Sequence, residues 1–248
     1  RGKPAIVDKS VRAKAAVLCG ADLVLELPVT ASLSSAEGFA SEGVRILSTM
    51  CSSLCFGAET PDADALMDTA KALLSPAFSL SLRESLDKGL SFPAARQAAL
   101  EQMGVASTVS SPNDILATEY CKAIVQQESP MEPFVIHREG SYHDDHPHSE
   151  NPSATAVRRL MLESGMWLDY VPEEVRDIFK NAKLHTISAG ERMILAKLRT
   201  MTDEEFEALP YGSEGLWRKL MHACRKETTL ENILTAVKSK RYTRTRLD

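Results

Sequence analysis

The feature that most constrains the fold is the alternation of short apolar runs with amphipathic helical patterns over residues 1–165. Each apolar run spans a few residues between Gly, Pro or charged residues, which is typical of a buried strand. The strand candidates are ADLVLELP at 21–28, SSLCFGAE at 52–59 and EPFVIHRE at 132–139. Helical patterns cover 8–19, 35–49, 62–103 and a segment that begins at Asn113. This alternation predicts an α/β fold built on a parallel sheet.

The pattern changes after about residue 160, where strand signals end. The remaining sequence carries helical patterns, as in AGERMILAKLRTM, GSEGLWRKLMHAC and LENILTAVKSK. We therefore predict two domains, an α/β domain over 1–165 and a helical domain over 166–248.

Composition places the chain among cytoplasmic globular proteins. Hydrophobic residues make up 44% and charged residues 25% of its 248 residues, and no run is apolar and long enough to span a membrane. The first residues do not resemble a signal peptide. The cysteines are sparse and odd in number, five in all, which favours free thiols in a reducing compartment. Cys51 and Cys55 lack the second ligand pair of a zinc site, and we expect them to be buried thiols.

Charge is unevenly distributed along the chain. The formal net charge is -5, yet residues 238–248, KSKRYTRTRLD, contain five Lys or Arg and a single Asp. A basic segment on an acidic protein can bind nucleic acid phosphates. A solvated terminal helix would have the same composition, and both interpretations stay open on the residues alone.

Polar residues follow the second and third strand candidates, where parallel sheets bind ligands. Gly57 lies near the end of one run and, having no Cβ, would let a ligand approach the backbone. Arg138 follows the other run and could pair with a phosphate or carboxylate. Asn113 is a candidate cap of the next helix, whose first N–H groups could face an anion. Each has a plain alternative as a turn, a surface charge or a cap, but together they predict an anion site at one sheet edge.

A histidine-rich stretch, YHDDHPHSE at 142–150, raises the question of a metal site. His143, His146 and His148 are irregularly spaced and Pro147 lies between two of them, whereas a metal pair on a helix requires two ligands one turn apart on one face. We therefore expect a loop and no dedicated metal centre, and leave open whether it contacts Mg²⁺.

The residues that follow, NPSATAVRR at 151–159, have the composition of a phosphate-binding helix start. Ser153 or Thr155 can cap the helix, and Arg158 lies within its first turns. Exposed N–H groups, hydroxyls and a guanidinium suit a nucleotide phosphate chain. An ordinary capped helix with surface arginines remains the alternative.

Taken together, these motifs resemble one family. RGKPAIVDKSVRAKAA, ADLVLELP, FGAE, SFPAARQAAL, SPNDIL, HREGSYHD, SATAVR and KRYTRTRL occur here in the order in which similar segments occur in bacterial tRNA(Met) cytidine acetate ligases. The resemblance extends over the whole chain, and no single motif carries it. It implies a Rossmann-like core of the nucleotidyltransferase superfamily, followed by a helical domain.

The resemblance also implies a reaction and its partners. Such enzymes activate acetate with ATP and Mg²⁺ as acetyl-adenylate and transfer the acetyl group to the wobble cytidine of elongator tRNA(Met). It implies ATP contacts at Gly57, Asn113 and Arg138, an ATP-binding role for 1–165, and no tightly bound metal or organic cofactor. No membrane partner is expected, and the sequence carries no signal for oligomeric state.

For the basic segment, the resemblance implies contact with tRNA phosphates, and Tyr242 would be available to stack on a base. The predicted phosphate contacts are Lys240, Arg241, Arg244 and Arg246.

The family pattern is not fully present in the sequence. A first strand and an NPFHNGH-like histidine motif would lie before Arg1, so no catalytic residue is assigned and we expect the 248-residue chain alone to have little ligase activity. Two other functions fit the same residues, a small-molecule adenylyltransferase of the same fold and a non-catalytic tRNA-binding module.

Overall fold

The computed structural model describes residues 4–105, 111–138, 152–163, 165–209, 215–239 and 241–247. The side chains of Pro93, Thr245 and Arg246 are outside this description. By packing, the chain divides into a sheet unit, Glu26–Asp144, and a helical unit formed by Arg1–Leu25 together with Asp145–Asp248.

This division by packing does not follow the predicted boundary near residue 165. Helix α1 (Lys9–Leu18) packs against α9 (Glu173–Lys180) within the helical unit. The backbone N–H of His185 also donates to the carbonyl of Ile6 at 2.8 Å. The N-terminal residues thus join the later part of the chain, while the predicted ATP and tRNA roles of the two domains remain predictions.

Among its described residues, the sheet unit contains two strands that alternate with helices. Its elements are α2 (Val29–Ser32), α3 (Ala36–Leu47), β1 (Ser53–Ala58), α4 (Ala63–Leu74), α5 (Pro76–Asp87), α6 (Phe92–Gln102), α7 (Pro112–Gln126) and β2 (Glu132–His137). The two strands pair in parallel, from Ser53 opposite Glu132 to Ala58 opposite His137. The parallel pairing confirms the prediction from the strand and helix alternation.

One face of β1 forms the centre of the core in this unit. Leu54, Phe56 and Ala58 alternate inward and pack among apolar residues of α3, α4 and α7. The outward positions carry Cys55 and Gly57, in keeping with the two-residue period of a strand. This period fixes which side chains near the carboxyl end of β1 can reach a ligand.

The prediction of a strand at residues 21–28 was wrong. Residues 21–28 have no strand pairing among the described residues, and Leu23 is 62% exposed. A strand is stabilised by the neighbour to which it hydrogen-bonds, so an apolar run alone does not determine it. The expectation of buried thiols was also wrong for Cys55, which is exposed, and Cys51 is half-buried.

The helical unit contains short helices around a second apolar core. Its elements are α1, α8 (Ala154–Glu163), a 3-10 helix (Leu168–Tyr170), α9, α10 (Ile187–Thr200), α11 (Asp203–Glu207), α12 (Leu216–Lys226), α13 (Leu230–Val237) and α14 (Arg244–Leu247). Phe206, Cys224 and Ile233 are buried where α10 to α13 meet. The side chains of Thr202 and Glu205 form a reciprocal capping box that fixes the start of α11. In the described part of the chain, no helix is long and apolar enough to cross a membrane.

Candidate functional site

The candidate site of the sheet unit lies at the carboxyl ends of its two parallel strands. The backbone N–H of Arg138 donates to the carbonyl of Ala58 at 2.9 Å, which extends the ladder one step beyond β2. Glu59 and Thr60 follow β1 directly and are hydrogen-bonded to the first turn of α7. The residues predicted from the ends of the two strands and the start of α7 are therefore held together in one unit.

The first turn of α7 is capped by Ser111, so the prediction that Asn113 is the cap was wrong. The hydroxyl of Ser111 accepts a hydrogen bond from the backbone N–H of Asp114 at 3.1 Å. Pro112 occupies the first helical turn, where its missing N–H costs no hydrogen bond. Asn113 is one residue further into the helix, and its side chain is available for another interaction.

That interaction is with Glu59. The amide of Asn113 donates to one carboxylate oxygen of Glu59 at 2.6 Å, and the hydroxyl of Ser111 donates to the other. Partial burial raises the pKa of Glu59, but the hydrogen bonds from Ser111, Asn113 and two backbone N–H groups outweigh it and the pKa is lowered overall. An ionised Glu59 thus holds the side chain of Asn113 in one orientation.

A second carboxylate, that of Asp114, connects the loop after β1 to α7 through hydrogen bonds. Asp114 is only 4% exposed. One of its oxygens accepts the backbone N–H of Thr60 at 2.9 Å and the other accepts the hydroxyl of Thr60 at 3.0 Å. Because both oxygens have donors, this buried charge is compensated and the end of β1 has a fixed position.

Gly57 and Arg138 are in direct contact. A Cβ added to Gly57 would lie 2.9 Å from Cδ and 3.0 Å from Cγ of Arg138. The group that approaches the glycine backbone closely is therefore the methylene chain of Arg138. The absence of a Cβ at Gly57 leaves the space that this methylene chain occupies.

The guanidinium of Arg138 is available to an anion. Arg138 is exposed, and no carboxylate among the described residues forms an ion pair with it. In the same unit, Asn113 presents an amide oriented by Glu59, and the Glu59 carboxylate is already hydrogen-bonded. This arrangement suits a ligand that carries phosphates and a polar ring, since a guanidinium pairs well with phosphate oxygens.

The predicted phosphate-binding residues Ser153, Thr155 and Arg158 lie at the start of α8, in the helical unit. The Ser153 hydroxyl accepts the backbone N–H of Ala156 at 3.1 Å and acts as the expected cap. Arg158 donates to the hydroxyl of Thr155 at 3.2 Å. The side chains of Thr155 and Arg158 are thus in contact just after the Ser153 cap, and phosphate binding by the three residues stays a prediction.

The predicted tRNA contacts of the basic segment have different surroundings. Arg244 is held by both carboxylate oxygens of Glu231, at 2.6 and 2.7 Å, while Arg241 is exposed. Lys240 and the side chain of Arg246 lie outside the described residues. The expectation that Tyr242 stacks on a base was wrong, because Tyr242 is 8% exposed.

The metal alternative concerns residues that the structure leaves undescribed, since His143, His146 and His148 all lie in 139–151. Within the described ranges, no group of three or more His, Cys, Asp or Glu side chains could hold a metal ion.

Sequence reasoning missed three residues of the site, namely Glu59, Ser111 and Asp114. For Ser111 a signal was present, because a Pro in the first turn places the cap immediately before it. Asp114 is the third residue after that cap, which is the position of the acidic residue in a capping box. This spacing predicts a helix start, but it does not indicate the contact with Thr60. For Glu59 no local pattern indicates a partner more than 50 positions away.

Comparison with known proteins identifies relatives of this chain. The chain is 33% identical over 268 residues to a tRNA(Met) cytidine acetate ligase of Clostridium perfringens (strain ATCC 13124). This match covers 100% of the chain and 66% of that protein. It is 34% identical over 265 residues to the protein of the same name from Clostridium novyi (strain NT), again with 66% of that protein covered. The chain thus spans just under two thirds of the length of these curated relatives.

A solved structure has the same fold. The crystal structure of Thermotoga maritima TmcAL bound with alpha-thio ATP matches with a TM-score of 0.87 at 29% identity, over 99% of this chain and 62% of that chain. The family model named HIGH Nucleotidyl Transferase matches residues 1–248. The predicted α/β nucleotidyltransferase fold is therefore confirmed, and the chain belongs to the HIGH nucleotidyl transferase family.

Proposed function

We propose that this protein is an ATP-dependent acetate ligase that acts on the wobble cytidine of elongator tRNA(Met). The observation that carries the proposal is the similarity of the entire chain to proteins named tRNA(Met) cytidine acetate ligase. The binding of alpha-thio ATP by the Thermotoga maritima structural neighbour supports ATP as the nucleotide.

The proposed reaction has two steps. A carboxylate oxygen of acetate attacks the α-phosphorus of Mg·ATP, and pyrophosphate leaves as acetyl-adenylate forms. The N4 amine of cytidine then attacks the acetyl carbon, AMP leaves, and the nitrogen loses a proton. Both steps develop negative charge on phosphate oxygens, so fixed positive charge and positioning supply the catalysis.

In this proposal the sheet unit holds ATP. The guanidinium of Arg138, guided across Gly57, pairs with phosphate oxygens, and the Asn113 amide held by Glu59 contributes a polar contact. Within the helical unit, Ser153, Thr155 and Arg158 at the start of α8 are separate candidates for phosphate binding. Glu59 and Asp114 are positioning residues, because their carboxylates bind protein groups.

The helical unit would contact tRNA in this proposal. The candidate phosphate contacts are Lys240, Arg241, Arg244 and Arg246. A tRNA substrate and acetate imply a cytoplasmic location for the reaction.

The test is a chimera in which residues 1–248 replace the matching segment of the Clostridium perfringens relative. We expect the chimera, given labelled acetate, ATP, Mg²⁺ and unmodified tRNA, to place label in tRNA as N4-acetylcytidine, detected by mass spectrometry of nucleosides. The intact relative is the positive control, and a chimera with Arg138→Ala is the matched negative. A folded chimera that binds ATP and transfers AMP to a small acceptor, with tRNA unlabelled, would overturn the proposal in favour of a small-molecule adenylyltransferase.

A further inference from the structure

The strongest feature that the proposed function leaves unused is the outer face of α12. Its sequence, LWRKLMHACRK, contains no Asp or Glu. The side chains of Arg218, Lys219, His222, Arg225 and Lys226 are all exposed. At 3.6 residues per turn they fall within an arc of about 120° on one side of the helix. The opposite side is apolar and packs into the core through Met221 and Cys224.

Two acidic residues of the neighbouring helices α11 and α13 are already paired. Asp203 of α11 forms an ion pair with Arg225, and Glu231 of α13 binds both arms of Arg244. Within the described part of the chain, no carboxylate forms an ion pair with Arg218, Lys219 or Lys226. The face therefore carries net positive charge on a protein whose formal net charge is -5.

This face adjoins the start of the basic segment predicted from the sequence. The ammonium of Lys219 donates to the carbonyls of Val237 and Lys238, at 3.0 and 3.4 Å. Lys219 thus connects α12 to the chain that continues into residues 239–247. The α12 face and the start of the basic segment therefore meet within the helical unit.

A pair formed by an aromatic ring and a guanidinium lies on the same helix. The guanidinium of Arg218 is 4.9 Å from the centroid of the half-buried Trp217 ring. A guanidinium held over an indole ring is restricted in its motion, which lowers the entropic cost of a contact with phosphate or a base. The stacking function expected of the buried Tyr242 is thereby available at Arg218.

We propose that the basic face of α12, with Arg218 and Lys226 as its principal contacts, binds the phosphate backbone of tRNA. This inference rests on the proposed function, which supplies tRNA as the polyanion. An anionic membrane is a poorer fit, because the large exposed apolar side chains described in this unit all precede Leu195 and α12 offers none for insertion.

The test measures the affinity of this chain for an unmodified elongator tRNA(Met) transcript over a range of salt concentrations. Removing two phosphate contacts should lower the slope of log affinity against log salt by about 1.5 to 2. We expect the Arg218→Gln, Lys226→Gln double variant to show this change, with Kd raised about tenfold at 0.1 M salt. The Arg218→Lys, Lys226→Arg variant keeps both charges and should bind within about twofold of the parent.

The matched control removes two cations from the sheet unit, through Arg83→Gln and Lys88→Gln at exposed positions on and just after α5. Both double variants change net charge equally, and circular dichroism checks that each retains its helices. The inference is overturned if the α12 and α5 variants lose the same affinity, or if the α12 variant binds as the parent does.

Two further outcomes separate this inference from the proposed function. If the parent chain binds tRNA and only the α12 face proves irrelevant, the proposed function stands and the inference fails. If the parent chain shows no salt-dependent tRNA binding, both the inference and the tRNA substrate fail. If the parent chain binds phosphatidylserine vesicles and the α12 variant loses that binding while tRNA binding is intact, the inference is overturned in favour of a membrane contact.

Discussion

The end of the sheet and the face of α12 use charge in opposite ways. At the sheet end, the carboxylates of Glu59 and Asp114 accept short hydrogen bonds from residues of the same unit. On α12, Arg218 and Lys226 are exposed and, among the described residues, no carboxylate pairs with them. The first arrangement fixes geometry, and the second leaves charge for a partner.

This difference determines how each region responds to change. A buried, fully satisfied carboxylate is costly to disturb, because its partners lose their acceptors where water is scarce. Exposed cations act nearly independently and are screened by salt. Single substitutions should therefore have large effects at the sheet end and small, additive, salt-dependent effects on α12.

The largest effect is expected from Asp114→Ala. The substitution removes both acceptors of Thr60 from a site that is 4% exposed. We expect the free energy of unfolding to fall by about 2 to 3 kcal/mol, measured by urea denaturation. The control Asp114→Asn keeps one acceptor and should lose about half as much. A change below about 0.5 kcal/mol in the alanine variant would contradict the importance given to this contact.

Gly57→Ala should act on ATP through Arg138. The new methyl group meets the Arg138 methylene chain 2.9 Å away, and the exposed chain has room to move aside. Stability should change little, while the Kd for ATP rises about tenfold, or about 1.4 kcal/mol. If Arg138 mediates the effect, Gly57→Ala should add nothing to an Arg138→Ala variant in a double-mutant cycle. Additive losses would show that the glycine admits the ligand directly.

Glu59→Gln should have a smaller and pH-dependent effect. The carboxylate accepts from Ser111 and Asn113, and its loss should cost about 1 kcal/mol of stability at neutral pH. Because hydrogen bonding lowers the pKa of Glu59 in the folded state below 4.5, its contribution is complete above the unfolded-state pKa. The contribution disappears as pH falls through the lowered folded-state value.

Urea denaturation of parent and Glu59→Gln proteins from pH 7 to pH 3 measures this effect. The difference in stability should be constant near neutrality and vanish in acid. Glu84→Gln, at an exposed position on α5, is the control and should leave the two profiles superimposed. A difference that persists unchanged at pH 3 would contradict the role of the ionised Glu59.

Local sequence was sufficient for β1, β2 and most helix starts. The alternation of Leu54, Phe56 and Ala58 can be recognised in the amino-acid sequence and corresponds to the buried face of β1. The segment 21–28 has a similar apolar composition but forms no strand, because β structure requires a hydrogen-bonding neighbour that a local pattern does not specify.

The site was predictable in its cations and glycine but not in its carboxylates. Strand ends indicated Gly57 and Arg138, and the structure brings these two residues into contact. The partners of Glu59 and Asp114 arise from the meeting of β1 with α7, over a sequence separation of 52 to 54 residues. A single sequence carries no signal at that distance, and therefore the tertiary structure was needed to find them.

The smallest effect should come from Asp203→Asn, at the edge of the basic face. Asp203 pairs with Arg225, so its neutralisation releases one more cation toward tRNA while side-chain shape is kept. We expect affinity for tRNA to rise about two- to threefold at low salt, and the gain to disappear in about 0.5 M salt because the attraction is screened. Glu207→Gln removes the same charge from the exposed side of α11 without releasing Arg225, and should give a smaller gain. Equal gains would reduce the α12 face to a general charge effect, whereas a gain confined to Asp203→Asn would place Arg225 with Arg218 and Lys226 on the surface that tRNA contacts.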